Sequence, residues 1–233
     1  MAGLGKDLLK GRQMPFLVLL AAFLVHANTL GHDYALDDSI VITDNQFTKE
    51  GLAGMGSIFS KDTFYGFFKK DGKDNLVQGG RYRPLSLAMF ALEYELFGEN
   101  PFIGHLLNVL LFALLCALIF QFLRTLLRDH RYSDLLALLT ALLFAVHPVH
   151  SEVVANIKGR DEILALLFAV LSFKYILSYL DHRKFSSLIL SGFFLFLGSM
   201  SKENAITFVL IIPIGLMLFR GLNFKALIKY SLP

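Results

Sequence analysis

Asp37 and Asp38 stand side by side at the end of Asp33-Tyr34-Ala35-Leu36-Asp37-Asp38, shortly after an apolar block. Anchoring at a membrane edge ordinarily falls to Lys, Arg, Tyr or Trp, so an acidic pair there calls for another role. Adjacent side chains diverge, which lets one carboxylate act as general base toward a hydroxyl while the other orients a neighbour. The structural alternative is an N-cap before Ser39-Ile40-Val41-Ile42, and capping and catalysis are compatible. Farther along, Arg81, Arg83, Lys158, Arg160 and Lys202 offer the positive charge and donors that a departing phosphate needs. Arg160 and Lys202 rank first among them. Asp161, Glu162 and Glu203 lie beside these cations in sequence and would neutralise part of their charge. His147 and His150 are spaced so that two imidazoles could share a helix face, with Glu152 just beyond. Pro148 interrupts the helix between them, so hydrogen bonds to phosphate or sugar oxygens are favoured over metal ligation, and Asn156 and Asn204 are weaker candidates for the same task.

The chain that must gather these residues is 55% hydrophobic and 18% charged across 233 residues, which is the composition of a membrane protein. Apolar blocks predict an all-α, polytopic helical fold with about six transmembrane helices at 14–30, 101–123, 135–149, 163–180, 187–200 and 205–219. The first block follows Lys6, Lys10 and Arg12 and reads either as a signal peptide or as a first span. Residues 31–100 form a long first extracytoplasmic loop in which Pro84, suited to a helix's first turn, opens a helix at the membrane surface. Spans five and six, joined by Ser201-Lys202-Glu203-Asn204, are expected to form a tight hairpin. Lys69-Lys70-Asp71-Gly72-Lys73-Asp74 reads as a solvated loop.

Charge counting orients the spans, because positively charged short loops stay in the cytoplasm. The N-terminus and the links at 124–134, 181–184 and 220–229 carry eleven basic residues against four acidic ones, and the opposite loops ten against fifteen. All five polar motifs then fall on one non-cytoplasmic face: 33–38, 81–84, 147–152, 159–162 and 201–204. The net charge of +3 is spread in short clusters between apolar blocks, which argues against nucleic-acid binding. Cys116, the single cysteine, sits in an apolar run and reads as a small core residue.

In this order the motifs resemble the membrane O-mannosyltransferases that carry transmembrane segments followed by tetratricopeptide repeats, within the GT-C class of multi-span glycosyltransferases using polyprenyl-phosphate sugars. The resemblance rests on Tyr34-Ala35-Leu36-Asp37-Asp38, Tyr82-Arg83-Pro84-Leu85-Ser86, Asn100-Pro101-Phe102 with His105-Leu106-Leu107-Asn108-Val109, the run 144–152, Gly159-Arg160-Asp161-Glu162 and Ser201-Lys202-Glu203-Asn204. It implies a retained first span and inverting transfer without a covalent enzyme–sugar intermediate. An outer-loop Asp deprotonates the acceptor hydroxyl while polyprenyl phosphate leaves. By position it makes Asp37 and Asp38 the acidic pair, with Asp38 preferred as base. It likewise makes Arg160 and Lys202 contacts to the donor phosphate; the residues' own chemistry adds Arg83, His147 and His150 as donor phosphate or sugar contacts, with Glu152, Asp161, Glu162 and Glu203 in support.

The whole chain, 1–233, is accordingly expected to be the N-terminal portion of one multi-span glycosyltransferase domain, in which further spans and the repeats would lie beyond it. The donor is a lipid-linked sugar, mannose among the candidates, and the acceptor is Ser/Thr of an exported protein or a glycan; no tightly bound cofactor is expected. The setting is a bilayer, either a bacterial inner membrane with the site toward the periplasm or exterior, or an ER membrane with the site toward the lumen. A transferase acting on lipid or polysaccharide is the alternative within the class. A transporter or flippase is the rival outside it, opposed by the gathering of polar groups at one surface and by the absence of a span broken at mid-depth by a Gly/Pro pair. A non-catalytic assembly subunit is the third reading.

Overall fold

A computed structural model describes residues 13–68 and 81–223. The stretch 69–74 and the basic residues Lys6, Lys10, Arg12, Lys225 and Lys229 lie outside them. Eleven α-helices are present among the described residues: α1 (Met14–His26), α2 (Gln46–Lys49), α3 (Met55–Ser60), α4 (Tyr65–Phe68), α5 (Pro84–Phe97), α6 (Pro101–Leu126), α7 (Ser133–Val146), α8 (Ser151–Ala155), α9 (Arg160–His182), α10 (Phe185–Ser201) and α11 (Phe208–Arg220). Prolines open α1, α5 and α6, where a missing amide hydrogen leaves no bond unmade.

Four segments are long and apolar enough to cross a membrane: Met14–Gly31, Pro101–Leu126, Ile157–His182 and Glu203–Arg220. A fifth is reached if α7 and Pro148–Ala155, bent by 50° at His147-Pro148, count as one. The expected short third span therefore has its boundary where the Pro148 ring cannot continue the α-helix. α10 spans 17 residues and is a shorter apolar helix.

The main core joins α1, α6, α7 and α9 through Val18, Phe112, Cys116, Phe120, Ile163 and Leu167. Ala137, Ala141 and Ala145, spaced four apart on α7 and fully buried, let its backbone approach α1 and α6 closely. Cys116 is buried and free, as its apolar context predicts. α10 pairs with α9, where Ser172 and Ser191 hydroxyls meet at 3.0 Å.

The expected hairpin of the last two helices takes a different form. Ile212 and Leu216 of α11 pack with Leu126 of α6 and with Phe173 and Leu177 of α9, a cluster whose buried members include none from α10. The 3-10 turn Glu203–Thr207 between α10 and α11 redirects the chain. Pro213 and Gly215 lie inside α11, yet the helix runs through them unbroken, in line with the expectation that no span is broken by such a pair. Phe193, Phe196, Leu210 and Leu218 are exposed, an apolar exterior that a bilayer would cover.

The polar first loop folds around a second core. Val41, Ile42, Phe47, Ile58, Leu87, Phe90 and Ala91 pack with Ile157. Asn45 holds this region together by accepting from the amides of Phe47 and Thr48 and donating to the carbonyls of Ile40 and Thr63. α5 thus presents Leu87 and Phe90 to protein, while Leu92, Leu96 and Phe97 remain exposed.

Candidate active site

The turn that carries the acidic pair is shaped by Leu36, whose backbone adopts the left-handed conformation at φ 50°. The Asp38 amide donates to the Ala35 carbonyl at 3.0 Å, and the Ala35 amide donates back to Asp38 Oδ2 at 3.0 Å. Asp38 Oδ1 accepts the Lys158 amide at 2.7 Å. Asp38 is fully buried and makes no cap to the helical turn Ser39–Thr43, so the capping alternative is not what the fold uses. Burial pushes its carboxyl above the usual carboxylate range, against the pull of the Ala35, Lys158 and Ile157 amides. Asp37 beside it is 54% exposed, with Lys158 Nζ 3.6 Å from its Oδ2. Of the two acids, Asp37 is the one a substrate can reach.

Lys158 owes its place to the bend before α9. Asn108, in the middle of an apolar helix, donates to the carbonyls of Asn156 and Ile157 at 3.0 and 3.1 Å. A Cβ at Gly159 would stand 2.2 Å from the Val153 carbonyl oxygen, so only glycine fits between Lys158 and Arg160. Arg160 turns inward and is fully buried. Its Nε donates to Asn108 Oδ1 at 2.8 Å, Nη2 to the Gly104 carbonyl at 3.0 Å and Nη1 to Glu93, with its plane over the Phe90 ring. Its nitrogens face protein, which makes it a strut joining α5, α6 and α9. Burial raises the Glu93 carboxyl, with Arg160's charge opposing that rise.

Arg83 is the second buried guanidinium. Nε and Nη2 grip Glu203 at 3.0 and 2.6 Å, and Nη1 donates to Asp161 Oδ2 at 2.7 Å. Burial lowers its pKa, but the two carboxylates outweigh that and raise it, so it stays charged. Asp161 and Glu162 occupy the first turn of α9, where the helix dipole favours acids. Asp161 faces Arg83 and, at 3.8 Å, Lys158, while Glu162 receives Lys202.

Glu162 also marks the rim of a cavity of about 310 Å³ among α6, α7, α9 and α11. Its walls include Phe112, Phe144, Leu166 and Phe208, and its polar lining comes from His150, Glu162, Asn204 and Thr207. His147 is exposed; its Nδ1 accepts the Val149 amide at 3.2 Å, and its ring lies 5.9 Å from that of His150. Glu152 is exposed. Among the described residues, no three His, Cys, Asp or Glu side chains are grouped to hold a metal ion.

Four of the five sequence motifs are therefore tied by direct contacts: the 33–38 turn through Lys158 to Asp161, Asp161 to Arg83, Arg83 to Glu203, and Lys202 to Glu162. The fifth contributes His150 to the same cavity as Glu162 and Asn204. Sequence reasoning passed over Glu93 and left Asn108 without a role. Each is a polar group in a largely apolar helix, a signal for a buried partner.

Comparison with known proteins decides the family. The profile described as Dolichyl-phosphate-mannose-protein mannosyltransferase matches residues 83–232, from Arg83 through the Lys158–Glu162 bend to Lys202 and beyond. The chain belongs to this family. Protein O-mannosyl-transferase TMTC1 from Homo sapiens is 35% identical over 199 residues, covering 80% of this chain and 21% of its own length. TMTC1 from Mus musculus is 36% identical over 154 residues, 66% of this chain and 15% of its own. Tmtc1 from Drosophila melanogaster is 32% identical over 190 residues, 82% and 21%. The chain thus spans 15% to 21% of the length of these curated relatives. No solved structure matches it. The resemblance read from the motifs is borne out at the level of the family, that of the dolichyl-phosphate-mannose-protein mannosyltransferases.

Proposed function

We propose that this chain carries the acceptor- and donor-facing part of a protein O-mannosyltransferase that moves mannose from dolichyl phosphate to a Ser/Thr hydroxyl. The observation that supports it is the accessible carboxylate of Asp37 in a chain of charged groups running through Lys158, Asp161 and Arg83 to Glu203. In the reaction, the acceptor oxygen attacks the anomeric carbon and its proton passes to Asp37. The bond from that carbon to the phosphate oxygen breaks, and its electron pair leaves with dolichyl phosphate. One displacement inverts the sugar. Asp38, preferred from sequence, serves instead to hold the turn, because both its oxygens accept backbone amides. The apolar cavity, with Glu162 and its partner Lys202 at one edge, suits the first isoprene units of the donor, and His150 and Asn204 can hydrogen-bond the sugar. Arg83 and Arg160 hold the frame around them.

In this reading α7 and α8 form one bent span and α10 a short sixth, with α5 at the membrane surface. The excess of basic residues at the 124–134 and 181–184 links supports a cytoplasmic position for that end and a non-cytoplasmic one for the Asp37 end. The cited relatives come from animals, which favours an ER membrane with the site toward the lumen over a bacterial inner membrane.

The test uses full-length protein and dolichyl-phosphate mannose. Asp37→Asn is expected to lower transfer at least about a hundredfold, as loss of a general base does, with thermal unfolding unchanged. Wild-type transfer by Asp37→Asn would sink the assignment.

A further inference from the structure

We infer that the Lys158 ammonium is the group that receives the donor's phosphate, an inference that rests on the proposed transferase reading. The described cations gathered around the first turn of α9 differ in what surrounds them. Arg160 is hydrogen-bonded to Asn108, Glu93 and Gly104, Arg83 to Glu203 and Asp161, and Lys202 to Glu162. Lys158 Nζ lies 3.6 Å from Asp37 and 3.8 Å from Asp161, both longer than a hydrogen bond. Its three donors are therefore attracted by two carboxylates yet bonded to neither.

The base of this side chain is fixed. Its amide is shared between Asp38 Oδ1 at 2.7 Å and Asn156 Oδ1 at 3.1 Å, and Asn108 secures the two carbonyls before it. The side chain is 19% exposed, open enough to meet a ligand from solvent. Asp161, 3% exposed, keeps a second oxygen, Oδ1, that accepts no hydrogen bond from the described residues. Among the described residues, the arrangement holds at a set place a cation whose nitrogen makes no hydrogen bond, between the carboxylates of Asp37 and Asp161.

A phosphate oxygen bonded to carbon in the donor becomes a charged terminal oxygen in the product. A cation at that oxygen binds more strongly as the bond breaks, which accelerates the step as well as capturing the donor. Rotation of the ammonium toward phosphate also takes the counter-charge away from Asp37, leaving that carboxylate to the acceptor hydroxyl. Donor capture and release of the base thereby share one side chain.

The experiment compares full-length wild type, Lys158→Gln and Lys158→Arg in nanodiscs for binding of a short-chain polyprenyl phosphate and of the matching unphosphorylated polyprenol. Lys158→Gln is expected to weaken phosphate-lipid binding roughly tenfold to a hundredfold, the loss of a charge-assisted bond. Polyprenol binding should stay the same, and Lys158→Arg should recover most of the loss. Equal phosphate-lipid binding by wild type and Lys158→Gln overturns the inference and leaves the transferase reading standing. Equal loss of both lipids makes Lys158 structural and overturns it as well. Wild type that binds the phosphate lipid but transfers no mannose removes the transferase reading alone, and wild type that binds no phosphate lipid removes both.

Discussion

The two ends of the helical bundle both carry arginine–carboxylate pairs, but in different surroundings. At the end with Asp37, Arg83 and Arg160 are buried and meet carboxylates inside the protein. At the other end, Arg124 pairs with Asp134 and Arg128 with Asp181, with both arginines about half exposed, and only Arg220, 3.6 Å from Asp181, is buried among the described arginine pairs there. Water screens the Arg124 and Arg128 pairs, so each is worth about 1 kcal/mol or less. The first set has lost water on both sides, and removing one member leaves a bare charge in the interior. Buried pairs of this kind serve geometry more than stability: they fix where α5, α6 and α9 meet, and with that where Lys158 stands.

The largest break in this contrast comes from Arg160. Arg160→Met is expected to cost about 3–5 kcal/mol, because Glu93 is left buried and unpaired, and thermal unfolding of the full-length protein in detergent would read it. Adding Glu93→Gln should recover part of that loss, since the pair together is replaceable where either member alone is not. A double variant no better than the single would mean that Arg160 acts through Asn108 and Gly104 instead.

Asp38 gives a smaller effect with a pH signature. Its carboxyl is raised by burial, so the folded chain keeps this proton to higher pH than the unfolded chain does. Its contribution is greatest in acid and fades as pH climbs from the usual carboxylate range through the raised value. Asp38→Asn, which cannot ionise, should flatten that part of the stability–pH curve; an unchanged slope would place the ionisation elsewhere. The smallest effect belongs to the opposite end, where Arg124→Ala should shift stability by no more than about 0.5 kcal/mol. A larger loss there would erase the difference between the ends.

The helices were the most legible part of this chain. Pro101–Leu126 and Arg160–His182 announce themselves because apolar runs of that length have few other fates. The bend at His147-Pro148 was equally readable, since proline's lost amide is a local fact. What sequence could not supply was direction. Lys158 and Arg160 are two residues apart and chemically alike, yet the 3-10 turn ending at Gly159 sends one toward Asp37 and the other into the core against Phe90. Asp37 and Asp38 part in the same way, through the left-handed backbone of Leu36, which no propensity for leucine would suggest. The second core in residues 39–68 was hidden by its polar composition, because Asn45 satisfies buried backbone groups that would otherwise mark the segment as solvent-facing.

Two of the contacts that hold the site span the same stretch of chain: Asp38 reaches the Lys158 amide, and Arg83 reaches Glu203, each across 120 residues. A ribosome adding about 5–20 residues per second takes on the order of ten seconds to supply that much polypeptide. During this interval the early acid and the early guanidinium wait in water while their partners are still unmade. The order of synthesis therefore assigns closure of the site to the later half, and Arg83 cannot be locked before α10 has been delivered.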